Sequence, residues 1–165
     1  MEIELSFSQG VLMLRHTIVV ALVLLIMLPS VSSAGITSVT KNNDLQFGRF
    51  ISLASSGTVT VNAAGARSSA GGITLLNGGT VVAAAYTVTG SNNSNYTITL
   101  PANNTVVIRS AGLTLTLTSF TCSKPLTGKL GSGTTTMIFT VGATAKVTPN
   151  ATPGTYSGSF NVTAN

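Results

Sequence analysis

The feature that most constrains this chain is a period of two. Thr58-Val59-Thr60-Val61, Tyr86-Thr87-Val88-Thr89 and Tyr96-Thr97-Ile98-Thr99-Leu100 each alternate polar and apolar side chains. Leu113-Thr114-Leu115-Thr116-Leu117-Thr118 does the same, as does Tyr156-Ser157-Gly158-Ser159-Phe160-Asn161-Val162-Thr163. Successive side chains of a strand point to opposite faces, so each segment offers one apolar face and one hydroxyl face. Threonine is β-branched and suits the pleat, and so it can line a wet face without weakening the strand. No segment after residue 34 has the i, i+3, i+4 spacing of an amphipathic helix.

Between the runs lie residues that favour reversals. They include Ala64-Gly65, Gly71-Gly72, Asn77-Gly78-Gly79, Gly90-Ser91-Asn92-Asn93, Pro101-Ala102-Asn103-Asn104, Gly131-Ser132-Gly133 and Pro149-Asn150-Ala151-Thr152-Pro153-Gly154. Glycine and asparagine accept the positive φ that tight turns require. Short strands at regular spacing predict an all-β fold, an antiparallel sandwich of eight or nine strands.

The beginning of the chain is of a different kind. Arg15 and His16 precede an apolar run from Thr17 to Leu28, then Pro29 and the small residues Ser32-Ser33-Ala34. Basic flank, short apolar core and small-residue exit are the parts of a secretory signal. The core is shorter than the roughly 20 residues a spanning helix needs. The expected organisation is therefore a signal peptide over residues 1–34, cut between Ala34 and Gly35, and one β-domain over residues 35–165. Glu2 and Glu4 sit where a signal favours positive charge, so Met13 is the more ordinary start. This reading predicts export to the periplasm, cell surface or medium, with membrane contact only through the signal.

Residues 35–165 hold Lys41, Arg49, Arg67, Arg109, Lys124, Lys129 and Lys146 against the single acid Asp44, a net charge of +6. The cations are scattered, which reads as a solvated surface and not as a nucleic-acid stripe. There is no histidine or glutamate in this region. A Ser-His-Asp triad lacks its base, and a glycosidase lacks its second carboxylate. A zinc site lacks ligands, and the glycine-rich stretches do not match a phosphate loop. No catalytic, cofactor or metal residue is assigned, and the chain is expected not to be an enzyme. Cys122 is the single cysteine, so no intrachain disulfide can form. A small buried apolar role suits it best.

Several pieces in order resemble a bacterial family called domain of unknown function 4402, which looks like a distant relative of fimbrial subunits and spore-coat protein U. They are Asp44-Leu45-Gln46-Phe47-Gly48, Gly57-Thr58-Val59-Thr60-Val61, Gly71-Gly72-Ile73-Thr74-Leu75-Leu76, Tyr96 to Pro101 and Ala151 to Phe160. The resemblance implies an immunoglobulin-like sandwich, export and a pilus-like or surface role.

Two functional expectations follow. One is a fimbria-like subunit, with Tyr156, Phe160 and Val162 packing the core, that joins copies of itself or related subunits by β-strand addition. Such addition needs a donor with apolar residues at every second position. Ile36 and Val39 have opposite parity, so the segment from Gly35 to Lys41 lacks that pattern. The last strand also lacks the terminal aromatic of fimbrial subunits. The alternative is a monomeric module that binds glycan or a surface through the loops around 63–72, 90–95 and 131–134.

Overall fold

The computed structural model describes residues 35–110 and 113–165. The signal peptide over residues 1–34, the Met13 start and Ala34 of the cleavage site lie outside the described residues. Strands occupy β1 (Ile36–Asn43), β2 (Gln46–Phe47), β3 (Phe50–Val61), β4 (Arg67–Leu75), β5 (Val81–Val82) and β6 (Ala84–Gly90). They continue through β7 (Asn95–Thr99), β8 (Val106–Ser110), β9 (Leu113–Cys122), β10 (Thr127–Lys129), β11 (Thr136–Val147) and β12 (Thr163–Ala164). The fold is all-β and every ladder is antiparallel. Among the described residues twelve strands are seen where eight or nine were expected, because β2, β5, β10 and β12 are only two or three residues long.

β11 organises the large sheet. Its first half, Thr136 to Val141, pairs with β6, which pairs with β1. Its second half, Ala143 to Val147, pairs with β3, which pairs with β4. The opposite edge of β11 carries β9, and β9 carries β8. The change of partner falls at Gly142. A Cβ there would collide with the backbone of Val61 and Asn62, so only glycine lets the two strands approach. Thr140 Oγ1 donates to Ala63 O at 2.5 Å just beside this crossing.

A small sheet in the order β10-β7-β12 faces the first half of β11. Between these layers lie Tyr86 and Val88 of β6, Phe139 and Val141 of β11, Tyr96 and Ile98 of β7, Leu130 and Ala164. Tyr86 and Phe139 stack with centroids 5.3 Å apart. Under the second half of β11 a further core gathers Val59, Ile73, Leu115 and Val147, with Leu117, Ala145 and Val106 beside it. Inward residues on β11 stay on odd positions throughout, whereas Ile138 on the outer face is 61% exposed.

Two sequence expectations change. Gly71-Gly72 is not a turn: it lies inside β4, opposite a bulge in β3 between Ser52 and Gly57. Gly71 holds φ +69°, and a Cβ on it would meet Ser56 O. The chain instead reverses at Asn62 to Ala66, where Asn62 Oδ1 accepts from the amides of Ala64 (3.0 Å) and Ala66 (2.9 Å). The second change concerns residues 156–163, which do not form one strand. Only Ser157 bridges, to Arg109, and only Thr163–Ala164 pairs, with β7. The face assignment nonetheless stands, since Tyr156, Phe160 and Val162 all pack against core clusters.

Candidate functional site

A cleft of about 1070 Å³ opens in the domain. Its floor is apolar: Leu115 and Leu117 of β9, Ala145 of β11, Ile108 of β8 and the edge of β6 at Ala84 and Tyr86. One wall is the stretch from Asp44 to Ser52, which contains β2. The other is the final segment, Ala151 to Phe160, lying over the floor as a strap.

Each wall is fixed by a few polar bonds. Arg67 sits at the start of β4 and reaches under the first wall. Its guanidinium donates to Phe47 O and Arg49 O, both at 3.1 Å, and to Leu76 O at 2.9 Å. A planar fork with five donors can hold several carbonyls at once, which a lysine ammonium would do less rigidly. Lys41 and Asp44 pair at 2.5 Å at the mouth, both largely exposed. The strap is held by Arg109 N to Ser157 O (2.8 Å) and Ser157 N to Arg109 O (3.0 Å). Within the strap, Tyr156 Oη donates to Thr152 O at 2.9 Å.

The cleft's polar groups are modest. The Tyr86 phenol is held above its ordinary pKa of 10.0, first by burial and then by the negative charge of Asp44. No group of three or more His, Cys, Asp or Glu side chains lies together among the described residues. The site offers apolar surface, backbone amides and hydroxyls.

The proposed binding loops separate into two places. Asn92 Oδ1 accepts from Gly133 N at 2.7 Å, so the loops near 90–95 and 131–134 meet. The loop near 63–72 reduces to the turn at 62–66, which rests on β11 instead. None of the three lines the cleft. Arg67, read in the sequence as one scattered cation, proves to be the anchor of a cleft wall. No local signal could have found it, because its partners are backbone carbonyls 9 to 20 residues away. Cys122 is free and packs against the main core, but it is half-buried where a buried position was expected.

Fold and cleft together define an antiparallel β-sandwich domain whose last segment roofs an apolar hollow. The chain belongs to the family Domain of unknown function (DUF4402), whose model matches residues 37–165. No curated protein and no solved structure matches it.

Proposed function

We propose that this is an exported, non-enzymatic structural subunit that joins a surface assembly by β-strand addition. The observation that carries this reading is a pair of open edges. β12 pairs only with β7, and β1 pairs only with β6, among the described residues. Both lie beside the main core, close to each other but with no ladder between them. Just after β12, Asn165 exchanges both backbone bonds with Thr97 of β7, Thr97 N donating to Asn165 O at 2.8 Å and Asn165 N to Thr97 O at 3.1 Å. By the alternation of an antiparallel ladder, the N–H and C=O of Ala164 point the other way. An edge of this kind is a template for a further strand.

Run on a gel without boiling, the purified protein should give a ladder of species that boiling collapses to one band, with thin filaments in the electron microscope. Monomer alone at every concentration tested would refute assembly.

A second reading draws on the cleft, whose volume is large enough for a small ligand. In that reading the domain is a monomeric module for glycan or another surface group. Saturable binding to a glycan by a strictly monomeric protein would favour it.

A further inference from the structure

The final segment has the donor pattern that the segment at Gly35 to Lys41 lacks. Tyr156, Phe160, Val162 and Ala164 all fall on even positions, with Gly158 in the same row. All four large or small apolar members pack against core clusters. Gly158 lies so close to β8 that a Cβ on it would stand 2.7 Å from Val107 O. The row therefore fits its floor closely, from the bridge at Ser157 to the β12 ladder.

The segment's attachment through the backbone is slight by comparison. It has one bridge to Arg109 and a two-residue strand on β7, and residues 158–162 take part in no ladder. At its base, Pro149 follows β11 and Asn150 holds φ +50°, with its amide bonded to Leu53 O at 2.9 Å. The segment thus leaves the sheet at 149–150, carries a matched apolar row and is held to the rest of the domain mainly through that row.

We propose that the place of this strap over β8 and β9 can be taken by the same segment, Ala151–Asn165, of a second copy of this chain, so that copies are joined by exchange of their final segments. Exchange reproduces every contact seen within one chain, so its only new demands are on the hinge and on concentration. The row of side chains that now sits on Ile108, Leu115 and Leu117 is the chemistry the cleft selects. This inference rests on the reading of the chain as an assembling subunit and supplies a joint distinct from the open edges of β1 and β12.

The bridge supplies the test. Arg109 and Ser157 exchange both backbone bonds, so their Cα atoms lie about 5.5 Å apart, within reach of a disulfide. Both side chains are exposed, and their replacement should leave folding intact. In full-length protein with Cys122→Ala, Arg109→Cys and Ser157→Cys are placed on separate, co-expressed chains and oxidised. The expected product is a covalent heterodimer whose linked peptide joins positions 109 and 157, a linkage that no single chain can make. With both substitutions in one chain, oxidation of the dilute monomer should lock each strap on its own domain and prevent the unheated ladder on concentration, and reduction should restore it. A ladder that survives the lock, with no 109–157 interchain linkage, overturns the exchange while leaving assembly standing. A wild type without a ladder, together with paired variants without the 109–157 linkage, overturns both.

Discussion

Phe160 and Ser159 are adjacent residues that meet opposite surroundings. The Phe160 ring packs at 5.5 Å from Phe120 and against two core clusters, whereas Ser159 faces solvent. Phe160→Asp removes that packing and presses a carboxylate into apolar surroundings. It should cost at least about 2 kcal/mol, less than a fully buried phenylalanine would because the ring is half-buried. Ser159→Asp should stay within about 0.5 kcal/mol, as surface changes usually do. Chemical denaturation of the two variants checks the pair, and equal midpoints would mean the faces are misassigned. Tyr86 gives a prediction in pH. Its phenol is held above the ordinary value in the fold, so the native state resists ionisation that the unfolded chain accepts near pH 10. The stability it contributes is full below that pH and drains away as pH rises through the folded value. Melting temperature should therefore fall above about pH 10, and Tyr86→Phe should make that fall shallower. An unchanged alkaline slope in the variant would assign the loss to other groups.

Among the elements, β11 has the most partners and the least freedom. Gly142 marks the place where it leaves β6 for β3, and any side chain there strikes the backbone of Val61 and Asn62. Gly142→Val should cost about 3 kcal/mol by overpacking, while Ile138→Thr on the exposed face of the same strand should stay within about 0.5 kcal/mol. Thermal melts of the two distinguish a strained crossing from general intolerance of the strand. The same element explains what alternation could and could not reveal. Odd positions of β11 face inward along its whole length, and β6 and β7 likewise keep one parity, so their faces were legible in the sequence. In β9, Leu115 and Leu117 are inward but so are Phe120 and Cys122, which breaks the period. A bulge opposite the Gly142–Thr144 step, with Ser119 at φ +51°, inserts the extra residue that shifts the parity. β3 shifts parity in the same way across its bulge, and the glycines opposite that bulge imitate a turn. Periodicity reports which side of a segment is buried. It does not report whether the edge of that segment finds a partner, which is why residues 156–163 have the faces of a strand without its ladder.

At the scale of the molecule, the cleft was invisible to sequence because it is assembled from distant pieces. Residues 44–52, parts of β6, β8, β9 and β11, and the strap at 151–160 meet only in the fold, and none carries a motif. What was legible was the chemistry available to it, since a region with one acid and no histidine offers few proton-handling groups to any site. The distribution of ladders makes a last prediction. β6 and β11 are paired on both edges over much of their length and enclose the most buried side chains, including Phe139, Val88 and Val141. The strap has packing but almost no ladder. Local openings take their free energy from the contacts they break, so different parts of one fold exchange hydrogen at different costs. Peptides spanning 84–90 and 136–147 should therefore stay protected near the limit set by global unfolding. Peptides spanning 151–162 should exchange far earlier, with the Ser157 amide the slowest among them because it alone is bonded across to β8. Uniform protection across both regions would mean that the strap opens only when the whole domain unfolds. Exchange between copies would then have to wait on the slowest event available to the molecule, whereas an early-opening strap leaves the rest of the sandwich intact as a ready acceptor.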